Sequence, residues 1–263
     1  MTKVGAFSCL AKGLKALRPN LFSTFVFALL LEAIGAIPTF INRLQGHEYL
    51  TPPFSPWGLL MSLIFWITQT LILIGVSQVV WSHLKKDPHE RVHLLPSEKV
   101  RPQLFLWSIV FTVMTFVPHL GSWLVVQMTS NPAIFTPLPT LPIPFYFLAF
   151  IPLIMVDQQF SMWKAMKQVL FSMRTNFVSL LKLALTAEAV FLAIAIVGDS
   201  TGKFIRDTFS MPESVVTDHV IGVFVLAPIW VINSAMMAVA YVELQGDSVV
   251  GHQASGNPVY EGR

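Results

Sequence analysis

Apolar residues in this chain collect into six runs, at positions 21–38, 59–81, 104–126, 144–156, 177–197 and 220–242. Most approach or exceed the ~20 residues that a helix needs to cross the hydrocarbon core of a bilayer. The fourth is short, and Pro142, Pro144 and Pro152 crowd it, which predicts a tilted, kinked or partly re-entrant span. In lipid a single chain segment satisfies its own backbone polar groups as a helix. The pattern therefore predicts an all-α polytopic membrane protein with six transmembrane helices in one domain, residues 1–245.

Two further segments alternate at helical spacing. Val4, Phe7, Leu10, Leu14 and Leu17 recur with Lys3, Lys12, Lys15 and Arg18 on or beside the polar side. Between the fourth and fifth runs, Met162, Trp163, Met166, Val169, Leu170 and Met173 form an apolar stripe, with Lys164, Gln168 and Ser172 across from it. Both are expected to be interfacial helices, over 1–19 and 158–176, lying on the cytoplasmic membrane face or over the bundle end. Trp163, Lys164, Lys167, Arg174 and Asn176 are the candidate contact residues of the second, for packing or for gating and partner binding. The proline-rich segments 85–102 and 128–142 read as loops. Residues 199–218 read as a polar outer loop with one short helix before Pro212, and 246–263 as a flexible tail.

Charge orients this arrangement. Lys3, Lys12, Lys15, Arg18, Lys85, Lys86, Arg91, Lys99, Arg101, Lys164, Lys167, Arg174, Lys182 and Arg263 fall on one side of a six-span topology, and Arg43, Lys203 and Arg206 on the other. The cation-rich side is cytoplasmic by the positive-inside rule, which places both termini there. The first run is too long for a cleavable signal core and reads as a retained signal anchor. Composition agrees with the membrane class: of 263 residues, 54% are hydrophobic and 12% charged, against about 25% charged in soluble domains. Cations confined to short loops beside helices point to anionic lipid headgroups as partners rather than nucleic acid. The single cysteine, Cys9, has no second cysteine in the chain with which to form a disulfide.

A shift of 156 residues superposes Arg18 on Arg174, Asn20 on Asn176, Ser23 on Ser179, Ala28 on Ala184 and Glu32 on Glu188. Each copy reads as an amphipathic helix, Arg-x-Asn, then a span with a carboxyl group, a repeat of the kind membrane bundles use. At ~1.5 Å per residue Glu32 and Glu188 reach the midplane, and Gln69, Thr115 and Asn233 reach similar depth. Charge at that depth is costly, so this layer is expected to face the bundle interior or a wet cavity, where it either carries function or fixes helix packing. Motifs for metalloproteases, serine hydrolases, phosphate loops and dinucleotide folds are missing. His83, His89 and His93 share one segment, read as a solvated loop, and no metal or cofactor is expected.

Gly13 followed by Leu17-Arg18-Pro19, together with the stretch from Ile151 to Phe177, resembles the YciC-like family of bacterial inner-membrane proteins, related in style to the membrane domain of some glycerophosphodiester phosphodiesterases. Pro152, Asp157, Ala165 and Asn176 match that family's pattern, whereas Val169 stands where Ser is typical and Ser172 lies nearby. The resemblance implies six helices and the bacterial inner membrane, and supplies no catalytic residue. Three functional readings follow. The first is a transport, lipid-handling or envelope-homeostasis component with a polar intramembrane cavity. The second is a non-catalytic structural or interaction protein of unknown protein partners. The third is an intramembrane enzyme, which the residues favour least.

Overall fold

A computed structural model describes residues 5–44, 56–84, 94–114, 148–209 and 215–254, with some side chains inside these stretches left out. The described residues form α1 (Ala6–Leu17), a 3-10 turn (Arg18–Asn20), α2 (Leu21–Leu44) and α3 (Pro56–Leu84). There follow α4, helical over 101–114, then α5 (Phe150–Gln158), α6 (Met162–Phe209) and α7 (Val215–Ala254). No strand occurs among them. Three stretches are long and apolar enough to cross a membrane, Ala6–Pro38, Gly58–Leu84 and His219–Gln245, and the bent pair Met162–Ser172 with Asn176–Ala187 makes a fourth if counted as one span. The expected third and fourth spans run into 115–147, outside the described residues, as do Thr115, His89 and His93.

The two Arg-x-Asn sites both break a helix, in different ways. Pro19 has no N–H to donate, and the chain tightens there: the Arg18 N–H bonds the Lys15 carbonyl three residues back. Leu17, Arg18 and Leu21 keep right-handed helical dihedrals, so α1 runs on into α2. Ser23 and Thr24 donate their hydroxyls to the Asn20 carbonyl at 3.0 and 2.8 Å, satisfying it across the junction. At ~1.5 Å per residue the 33 residues of Ala6–Pro38 are longer than a hydrocarbon core ~30 Å thick requires. Asn176 leaves the helical region altogether (φ −123°, ψ 23°), and Met162–Ser172 lies at 100° to Asn176–Ala187. The two copies share a burial register: Cys9 and Ala165, Thr24 and Leu180, and Ala28 and Ala184 are all buried pairs.

Helix α7 is the hub, packed against α1, α2, α3, α5 and α6. From Ala235 to Tyr241 every side chain is at most 3% exposed, so this segment is enclosed on all sides and shows no amphipathic stripe. Its small residues let neighbours close in: a Cβ on Gly13 of α1 would lie 2.9 Å from the Ala235 carbonyl carbon. Helix α2 pairs with α3 in an antiparallel register, with Phe27 against Gly75, Glu32 against Gln69 and Gly35 against Thr68. Helix α4 joins α3 through Trp66 and Phe111, edge to face at 4.5 Å. On the outside, Leu30, Ile34 and Ile37 of α2, Leu185, Leu192 and Ile196 of α6, and Val216, Val220 and Phe224 of α7 stand exposed. Apolar surface of that extent is what lipid covers.

The two amphipathic segments turn mainly their smaller residues inward and leave bulky apolar ones exposed. In α1 the buried residues are Cys9, Gly13, Ala16 and Leu17, while Phe7 and Leu14 face out. In Met162–Ser172 the inward residues are Met162, Ala165 and Val169, while Trp163, Leu170 and Phe171 are exposed beside Lys164 and Lys167. Each helix has two apolar sides, a tight one for protein and a bulky one for lipid, and sequence periodicity merges them. Two helices also outrun their expected ends. Helix α6 continues to Phe209 through the segment read as a loop, because 199–209 lacks proline and Pro212 is the first residue unable to continue a helix. Helix α7 continues to Ala254, past the Gly246 where composition predicts a flexible tail.

A Cβ on Gly35 would collide with Thr68 Oγ1, whereas one on Gly222 meets nothing within 4 Å. Gly35→Ala is therefore expected to lower stability in detergent by about 1–3 kcal/mol. Gly222→Ala, read by the same thermal melt, leaves stability equal or higher.

Candidate functional site

Two polar sites stand out, one inside the bundle and one at its end. In the first, Gln69 Nε2 donates to Glu32 Oε2 at 2.7 Å. Glu32 is 1% exposed and Gln69 5%, so neither reaches solvent or lipid. The approach of α2 to α3 at Gly35 and Thr68 lies one turn away and sets the distance across which this bond forms. Thr68 returns its own hydroxyl to the Phe65 carbonyl at 2.8 Å and makes no demand on the pair. Among the described residues, Gln69 Oε1 and Ser77 Oγ are buried without a hydrogen-bond partner.

Of the expected midplane layer, the structure brings Glu32 and Gln69 together. Asn233 is buried in α7 at 6% exposure. Glu188 lies within α6, but its side chain is outside the described set, and Thr115 is outside it entirely. Among the described residues no group of three or more His, Cys, Asp or Glu is placed to hold a metal ion. Of the second amphipathic helix, Trp163, Lys164, Lys167 and Arg174 are exposed and Asn176 sits at the bend. Lys164 Nζ rests 3.6 Å over the Phe160 ring, a contact that fixes the turn between α5 and α6.

The second site was not visible from spacing. In the C-terminal half of α7, Tyr241 donates its hydroxyl to Asp157 Oδ2 of α5 at 2.9 Å, and accepts from Gln158 Nε2 at 3.4 Å and from Gln245 Nε2. Trp81 of α3 stacks obliquely on the Tyr241 ring at 5.3 Å and donates its indole N–H to the Ala238 carbonyl at 3.1 Å. Across α7, Glu243 accepts from Lys12 Nζ at 2.6 Å and from the Cys9 thiol at 3.4 Å. The Met162 N–H reaches Gln103 Oε1 at 3.4 Å. Helix α5 is stopped at this end by Gln159 in the left-handed conformation (φ 54°), which turns the chain into α6. These bonds gather α1, the end of α3, the start of α4, the end of α5, the start of α6 and residues 238–245 of α7 at one pole. Lys12, Lys15, Lys99, Arg101, Lys164 and Lys167 are all exposed there.

Partners separated by 231 and 84 residues carry no local signal. Asp157 was singled out only through the family resemblance, and Tyr241 not at all. No protein-family model, curated protein or solved structure matches this chain.

Tyr241→Phe removes the hydroxyl shared by three side chains and is expected to cost about 1–2 kcal/mol in a detergent melt. Cys9 is fully buried, so a maleimide should label it slowly in the folded protein and rapidly after denaturation. Gly13→Leu, which drives α1 off Ala235, should give fast labelling without denaturant; unchanged slow labelling would mean that α1 is not held by this contact.

Proposed function

We propose that the chain is a six-pass membrane protein with both termini on a cytoplasmic, cation-rich face, and that it acts as a non-catalytic structural or interaction protein rather than a transporter. The enclosed Glu32–Gln69 bond carries this reading. A carboxyl group serving a translocation path needs access to water or cargo, whereas one that is 1% exposed and bonded to a neighbouring helix serves packing. Support for six passes comes from the pole described above. Three helices leave it (α2, α4, α6) and three return (α3, α5, α7), an alternation that matches the distribution of Lys and Arg. Exposed Trp163, Leu170 and Phe171 beside Lys164 and Lys167 suit a helix lying among anionic headgroups. Membership of the YciC-like family and residence in the bacterial inner membrane belong to the same proposal, and rest on the stretch from Ile151 to Phe177.

Single cysteines at Lys86 and Ser200, in a Cys9→Ala background, test the sidedness. An impermeant maleimide applied to intact cells should label Ser200→Cys and spare Lys86→Cys; the reverse, or equal labelling, rejects the six-pass orientation. Glu32→Gln tests the packing role, because an amide keeps the shape and hydrogen-bonding reach of a carboxyl group. The variant should melt near the wild type and rescue a deletion strain fully. Normal stability with failed rescue would instead give Glu32 a chemical task.

A further inference from the structure

A cleft of ≈ 100 Å³ opens between α3 and α4, with Ile67 and Leu71 on one wall, Leu104 and Phe105 on the other, and Arg101 with Pro96 at its rim. Its walls are mainly apolar, with Thr70 the hydroxyl residue on the α3 side. The one hydroxyl that α4 contributes, Ser108, is already donated to the Leu104 carbonyl at 3.0 Å. Arg101 is held in place: its Nε donates to the Pro96 carbonyl at 3.1 Å, and its side chain is 54% exposed. The Glu98 carboxylate is 3.8 Å away and 90% exposed, a pairing worth little in water. Lys99 stands exposed two residues earlier. Immediately inward of Arg101 the outer face of α4 turns wholly apolar, with Phe105 52%, Ile109 37% and Val113 57% exposed. Arg101 thus marks the level at which the exposed face of this helix changes from charged to apolar.

We infer that this cleft is a binding site for one anionic phospholipid, its phosphate on Arg101 and Lys99 and the upper part of one acyl chain between α3 and α4. A guanidinium fixed at the mouth of an apolar slot complements a headgroup that carries negative charge next to its tails. A zwitterionic lipid offers the same tails without the net charge, and a free phosphate offers no tail. The inference rests on the proposed function only in placing this pole among headgroups.

The experiment counts lipids retained by the detergent-solubilised full chain in native mass spectrometry, after incubation with phosphatidylglycerol or phosphatidylcholine. One phosphatidylglycerol should be retained in preference to phosphatidylcholine. Arg101→Gln, at an exposed position, should weaken that binding about fivefold, and Phe105→Ala should weaken it through the tail. Lys167→Gln, an exposed cation of the same pole outside the cleft, should leave it unchanged. Equal retention of the two lipids, equal binding by Arg101→Gln and wild type, or an equal loss in Lys167→Gln would each overturn the site. Reversed cysteine labelling combined with selective loss in Arg101→Gln would overturn the orientation and leave the site standing.

Discussion

A polar group inside an apolar bundle must find its partner within the protein, on its own helix or on a neighbouring one, because lipid offers none. That constraint accounts for the contacts on which the bundle depends. Glu32 on α2 accepts from Gln69 of α3 and so fixes the two helices against each other, and they can reach each other because Gly35 presents no side chain to Thr68. At the cationic pole α7 is tied to three helices at once, through Trp81 and Asp157 and, where the side chains are more exposed, through Glu243 with Cys9 and Lys12. Burial without access is the common property of Glu32, Gln69 and Cys9.

Apolar packing supplies contact, and the polar bonds supply register. Helix α7 is enclosed between Ala235 and Tyr241 by side chains that would tolerate sliding, since Ala and Met make few directional demands. Tyr241 and Glu243 remove that freedom by fixing this part of α7 to α5 and α1. Single interhelical hydrogen bonds in membranes average ~0.6 kcal/mol, so no one bond holds the bundle. Their value is specificity: a slip of one residue on α7 would break the bonds of Tyr241 and Glu243 together. The lipid cleft lies outside this network, between α3 and α4, where the described contacts are apolar.

Much of this was legible along the chain. The runs at 21–38, 59–81 and 220–242 fall within α2, α3 and α7, because length and hydropathy alone decide which segments can be helical in lipid. Similar depth brought Glu32 and Gln69 into one candidate layer. The Arg-x-Asn sites were recognised as helix edges, and both interrupt regular α-helix. The choice between lying on the membrane face and packing over the bundle end was left open by the sequence, because the exposed Phe7, Leu14 and Leu170 and the buried Cys9, Gly13, Ala16 and Ala165 are all apolar or small. Hydrophobicity does not distinguish lipid from protein; side-chain size does. The pole built on Tyr241 was hidden because it joins residues far apart in sequence, each ordinary in its local setting.

The central claim is that Glu32 and Gln69 act on each other to hold α2 against α3. A double-mutant cycle measures this directly, with detergent thermal stability determined for Glu32→Leu, Gln69→Leu and the double variant. The account predicts that the two losses fall short of additivity by ~0.6–1.7 kcal/mol, the range of buried polar pairs between membrane helices. Losses that add to within ~0.3 kcal/mol would show that the two side chains are energetically independent and would contradict it.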